Sequence, residues 1–140
     1  MPVGKSLRVL IVEDEAVIAL SLSIGVQNAD HELVGVADNA ETALEIAERY
    51  LPHAALVDVK LKGAIDGMTV GRELAQRYGT AIIFTTAHQD RVLTESRDVA
   101  FGVLTKPFTQ DQVVAELARA LQATQAEPEP TALRYWHAIH

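Results

Sequence analysis

Five reactive side chains in this sequence stand at the C-terminal ends of short apolar runs. VLIV is followed by Glu13 and Asp14, ALV by Asp58, AIIFT by Thr86, and VLT by Lys106 and Pro107. In an open parallel α/β sheet all strand C-termini share one edge, and ligands bind in the crevice outside it. The sequence therefore predicts three carboxylates, one hydroxyl and one ammonium around a single small site. Such a set suits Mg²⁺ and the transfer of a phosphoryl group to an aspartate.

The strand reading rests on periodicity. β-rich runs occur at 7–12, 33–37, 54–58, 80–85 and 103–106. They are continuously apolar rather than alternating, as expected of strands buried on both faces. Amphipathic segments lie between them. Ala40, Ala43, Leu44, Ala47 and Leu51 share one helical face, with Asp38 or Asn39 as the cap and Glu41 placed for a capping box. Thr109 and Gln112 form a second capping-box pattern ahead of Val113, Leu117, Ala120 and Leu121. Segments 15–28 and 67–78 also read as helices, and 89–98 as a weaker, more polar one. Strand and helix alternate five times, a (βα)₅ pattern that implies a parallel sheet covered on both faces.

The 140 residues suggest one domain, and 49% apolar residues is ample for its core. A formal charge of −7 disfavours nucleic acid, which calls for a basic face. No apolar run approaches the roughly 20 residues of a membrane span, and the N-terminus has no secretory pattern. Cysteine is absent, which excludes disulfides and thiolate metal sites. A cytoplasmic protein without direct nucleic-acid or membrane contact is expected. The domain is expected to occupy 1–122, with 123–140 as a linker and short tail. ATQAEPEP reads as extended linker, and TALRYWHAIH carries Tyr135, Trp136 and Ile139 as an apolar face for a partner, a second copy (a homodimer), or neither.

Each site residue has an ordinary alternative. Glu13 and Asp14 fit the acidic first turn of a helix, Asp58 a turn, Thr86 a β-branched strand residue, and Lys106 an exposed loop lysine. Four mutually compatible strand ends at once make that combination improbable. Asp58 is the expected nucleophile, Lys106 the second positive charge, and Thr86 a hydroxyl donor to a phosphoryl oxygen. His31, His53, His88, His137 and His140 show no convincing metal spacing, and no GxxxxGK[ST] loop is present.

VLIVEDE (9–15), AALVDV (54–59), FTTAH (84–88) and VLTKPF (103–108) together resemble the receiver domain of two-component response regulators, over about residues 6–122. The resemblance implies a flavodoxin-like, doubly wound sheet of five parallel strands in order 2-1-3-4-5. It assigns Glu13 and Asp14 to the acidic pair, Asp58 to the phosphoacceptor, Thr86 to the switch hydroxyl and Lys106 to the conserved lysine. The carbonyl of Lys60 would be a further Mg²⁺ ligand, and Lys106–Pro107 a cis peptide bond. The implied donor is a sensor histidine kinase or phosphotransfer protein. The implied output is a downstream protein partner on the face of the fourth helix, fifth strand and fifth helix, with direct transcriptional control not indicated.

Two departures bear on these expectations. Val103 follows Gly102 where the family usually has Tyr or Phe, and Phe101 is not expected to replace it. The loop after Asp58 is one residue longer than usual and lacks its proline, so Gly63 is expected to turn it. Lys60 and His88 flank the reaction position and are expected to tune how long the phosphoryl group survives. Two rival readings are a phosphorylation-independent pseudo-receiver and an aspartate-nucleophile phosphatase. Lys60 stands where such phosphatases commonly carry a second aspartate, which argues against the latter.

Overall fold

The structure, a computed structural model, describes residues 6–126. Five strand–helix pairs follow one another: β1 (Arg8–Val12), α1 (Ala16–Asn28), β2 (Glu32–Ala37), α2 (Ala40–Tyr50), β3 (Ala54–Asp58), α3 (Gly67–Tyr78), β4 (Ala81–Thr86), α4 (Gln89–Glu95), β5 (Ala100–Thr105) and α5 (Gln110–Ala126). All pairings are parallel and the order is β2-β1-β3-β4-β5, the flavodoxin-like arrangement. The expectation of a (βα)₅ doubly wound sheet is met.

The sheet divides two cores. Leu10, Val12, Ala55, Val57, Ile82 and Phe84 face α2 and α3. Val9, Ile11, Ala54, Leu56 and Ile83 face α1 and α5. Successive strand residues point to opposite faces, so two apolar layers require the unbroken apolar runs seen in the sequence.

Boundaries differ from expectation by more than one residue at three places. β5 begins at Ala100 rather than near 103, because Gly102 pairs beside Ile83 after a register shift. That shift inserts Phe101 as an extra residue, the signature of a bulge. It puts Phe101 against the α1–α5 core and Val103 against the other one, so Phe101 does not stand in for an aromatic at 103. Helix α5 continues to Ala126, four residues past the expected boundary at Gln122. Ala, Gln and Thr there offer no break, and Pro128 is the first residue that disfavours helix just before it. The third difference is α4, which stops at Glu95 rather than 98.

Caps settle the local signals. The side chain of Asn39, not Asp38, accepts the Thr42 N–H at 2.9 Å, so the box with Glu41 does not form. At α5 the reciprocal box does form: the Gln112 N–H donates to Thr109 Oγ1 (3.1 Å) and the Thr109 N–H to Gln112 Oε1 (2.8 Å). Gly63 adopts φ 109°, the left-handed turn expected of it. The Lys106–Pro107 bond is cis. The tail face of Tyr135, Trp136 and Ile139 lies outside the described residues.

Candidate functional site

The strand ends bring the acidic residues together. One carboxylate oxygen each from Glu13, Asp14 and Asp58 lies within 4.8 Å of the others. Glu13 and Asp58 are buried, whereas Asp14 is half-exposed. Main-chain amides hold each carboxylate: Glu15 N–H on Glu13 Oε2 (3.1 Å), Lys60 N–H on Asp58 Oδ1 (3.1 Å) and Lys62 N–H on Asp14 Oδ2 (2.9 Å).

Lys106 closes the cluster. Its N–H donates to the Thr86 carbonyl (2.7 Å), which extends the β4–β5 pairing one residue past the strand. Its Nζ then stands 3.3 Å from Asp58 Oδ1 and 3.4 Å from Glu13 Oε1. Burial opposes the ammonium, but the Asp58 and Glu13 carboxylates outweigh it and hold the lysine above its ordinary range. Burial pushes Glu13 up to about 7; the Glu15 amide opposes that, Asp58 adds to it, and Lys106 pulls back.

Thr86 is buried at the end of β4, with its hydroxyl turned to the main chain of His88. It accepts the His88 N–H (3.1 Å) and lies 3.3 Å from the His88 carbonyl, to which it donates. The side chains of Lys60 and His88 are exposed at the rim, and Val103 is half-buried on the α3–α4 side. The structure thus assembles Glu13, Asp14, Asp58 and Lys106 by direct contact, and leaves Thr86 hydrogen-bonded away from the carboxylates.

Two contributors escaped the sequence reading. Gly67 opens α3 and donates its N–H to the Val59 carbonyl at 3.1 Å. A Cβ there would collide with the carbonyl oxygen of Asp58, so α3 can lie against the end of β3 only with glycine at this position. The Asp-Gly pair, with Asp66 capping α3 through the Thr69 N–H (2.9 Å), was the available signal. The second is Lys62, whose backbone amide crosses from the β3–α3 loop to Asp14; no side-chain pattern could announce it.

The donor set fits a hard divalent cation. It offers carboxylate oxygens alone, two of them from buried residues, and a shared positive charge would relieve the repulsion that Asp58 imposes on Glu13. A buried carboxylate beside an ammonium, within a three-carboxylate cluster, is an arrangement suited to phosphoryl chemistry.

Comparison with known proteins identifies the family of the fold. The model of the response regulator receiver domain matches residues 9–118. The phyllosphere-induced regulator PhyR of Methylorubrum extorquens is 33% identical over 115 residues, covering 81% of this chain and 43% of that protein. The transcriptional regulatory protein PdtaR of Mycobacterium tuberculosis is 34% identical over 116 residues, covering 81% and 56%. The crystal structure of the response regulator PhyR from Brucella abortus superposes with a TM-score of 0.80 at 32% identity, covering 90% of this chain and 52% of that one. The solution structure of the Erythrobacter litoralis PhyR receiver domain gives 0.76 at 30% identity, covering 83% and 90%.

The chain belongs to the response regulator receiver domain family. It spans about half the length of the curated relatives it matches. Among the described residues, no helix is long and apolar enough to cross a membrane.

Proposed function

We propose that this receiver domain accepts a phosphoryl group on Asp58 from a phosphohistidine of a sensor kinase or phosphotransfer protein, in the cytoplasm, and so switches a protein–protein interface. A carboxylate oxygen of Asp58 attacks phosphorus as the P–N bond breaks. The imidazole keeps the electron pair and is later protonated from water. Lys106 holds a developing phosphoryl oxygen and balances its charge. Mg²⁺, held by Glu13, Asp14, Asp58 and the Lys60 carbonyl, would supply further charge neutralisation. The observation that carries this reading is Lys106 Nζ within 3.4 Å of both Glu13 and Asp58 at the mouth of a three-carboxylate cluster.

Thr86 then leaves His88 and donates its hydroxyl to the phosphoryl group, which draws the start of α4 toward the site. The face of α4, β5 and α5 changes shape and its protein partner responds. Lys60 and His88 at the rim set how readily water removes the phosphoryl group. Unchanged dephosphorylation rates in Lys60→Ala and His88→Ala proteins would exclude that role.

The test is intact mass after incubation with a small phosphodonor and Mg²⁺. Wild type should gain one labile PO₃ unit, and Asp58→Ala none. Val103 favours one other reading, a module that binds its partner without phosphorylation. A Mg²⁺-dependent beryllofluoride complex that alters partner binding would decide against it. An aspartate-nucleophile phosphatase is disfavoured by Lys60.

A further inference from the structure

Helix α4 has seven residues, and among those described Val92 alone is buried. A helix this short does not hold itself together in water. A single apolar anchor fixes neither its tilt nor its roll, so polar ties decide where α4 lies. Its start is held lightly. Gln89 Oε1 accepts the Thr105 hydroxyl at 3.4 Å, and Arg91 Nη2 reaches Asp66 Oδ2 at 3.5 Å. The stronger contact of Arg91 is within α4 itself, from Nε to Glu95 Oε2 at 2.7 Å.

The end of α4 is gripped by Arg72 of α3. The guanidinium donates to both oxygens of Asp98, from Nη1 at 2.6 Å and from Nη2 at 2.9 Å. Nη2 also donates to the carbonyl of Glu95, the last residue of α4, at 3.2 Å. A fork of two parallel bonds fixes angle as well as distance, which a single exposed ion pair does not. The cation also stands where the helix dipole favours positive charge. The turn it grips is closed on itself before β5: Ser96 donates to the Val92 carbonyl (2.9 Å), and Val99 and Ala100 both donate to the Ser96 carbonyl (3.1 and 2.9 Å). Behind Arg72 the support is firm. A Cβ on the neighbouring Gly71 would lie 2.6 Å from Phe84 Cζ, so α3 sits hard against β4. Arg72 thus reaches from a closely packed helix to a loosely packed one.

We propose that Arg72 is a clasp that fixes the C-terminal end of α4 through Glu95 and Asp98, so that switching at Asp58 moves the start of α4 about this end. The clasp is a property of the resting protein; the pivot rests on the phosphoryl-acceptor reading above. The contrast in the ties selects which end is fixed. Arg72 makes three contacts of 3.2 Å or less at the end, against 3.4 and 3.5 Å for Gln89 and Arg91 at the start.

Amide hydrogen exchange read by NMR on the full chain tests both parts. Ser96, Val99 and Ala100 report the gripped turn, His88 and Gln89 the start of α4, and the β1 amides the global fold. Wild type is compared with Arg72→Met, Asp98→Asn and, as control, Arg77→Met, which loses a pair with Glu73 inside α3. Expected is several-fold faster exchange at the three turn amides in Arg72→Met and Asp98→Asn, with β1 unchanged and Arg77→Met like wild type. With Mg²⁺ and beryllofluoride, wild type should change at His88 and Gln89 but not at the turn, and Arg72→Met at both. Turn amides unaltered by Arg72→Met, or accelerated only in step with β1, overturn the clasp. Equal responses of turn and start in wild type overturn the pivot. A wild type that responds to beryllofluoride at no amide counts against the phosphoryl-acceptor reading and the pivot together, while the resting comparison still decides the clasp.

Discussion

Nδ1 of His31 accepts the backbone N–H of Leu7 at 3.0 Å, and Nδ1 of His53 accepts the N–H of Arg8, the next residue, at 2.8 Å. Two neutral imidazoles thus fasten consecutive amides at the start of β1. Each must lack a proton on Nδ1 to accept. Burial holds both histidines below their ordinary 6.5; Asp30 opposes this at His31, while at His53 Arg8 reinforces it and Glu32 opposes it.

The pH dependence follows from that depression. Below about 6.5 the unfolded chain binds protons that the folded protein resists, so stability rises with pH through this window. The histidine contribution is fully present above 6.5 and is lost as pH falls through the lower folded values. Thermal unfolding between pH 7.5 and 5 should show a falling midpoint that flattens in a His31→Gln, His53→Gln double variant. A slope identical to wild type would remove the histidines from the account.

Crowding at the strand ends makes a second prediction. Asp58 raises Glu13, so the unligated cluster is held together against its own repulsion. Asp58→Asn removes both the repulsion on Glu13 and the 3.3 Å contact with Lys106, so stability without Mg²⁺ should change by no more than about 1 kcal/mol, the scale of one pKa unit of interaction. Mg²⁺ at ten times its dissociation constant should stabilise wild type by about 1.4 kcal/mol and Asp58→Asn much less. Denaturant titrations with and without Mg²⁺ check both.

The Thr85 hydroxyl is fully buried and has no hydrogen-bond partner among the described residues, directly across the β3–β4 ladder from Asp58. Valine keeps the shape and removes the unpaired group. Thr85→Val should therefore hold or raise stability, by up to about 1–2 kcal/mol, read from the urea midpoint. Thr86→Val, one residue on, should lose both hydrogen bonds to His88 and destabilise instead.

Gly67→Ala tests the close approach of α3 to β3. The added Cβ meets backbone rather than a side chain that could turn away. A cost of about 1–3 kcal/mol is expected, with displacement of Asp58 and slower phosphorylation. Gly79→Ala, at an open position with φ 66°, should cost only its left-handed backbone strain and leave phosphorylation unchanged.

The elements were legible because their signals are local. The apolar runs mark β1 and β3, and Thr109 with Gln112 marks the start of α5. The β5 bulge was not legible, since register is set by pairing with β4 and not by any residue of β5 alone. Nor was the choice of Asn39 over Asp38 as cap, which turns on a one-residue difference in where α2 begins.

For the site, sequence by itself determined the chemical types and their placement at strand ends, because a parallel sheet carries every strand C-terminus to one edge. Only the tertiary structure decided that Lys106 bridges Glu13 and Asp58, that backbone amides from residues 60 and 62 hold the carboxylates, and that Thr86 rests on His88. The Lys106 contacts and the Lys62 amide on Asp14 join residues from different strands and loops. Distances of a few ångströms between them follow from how the elements pack, which no local pattern along the chain encodes.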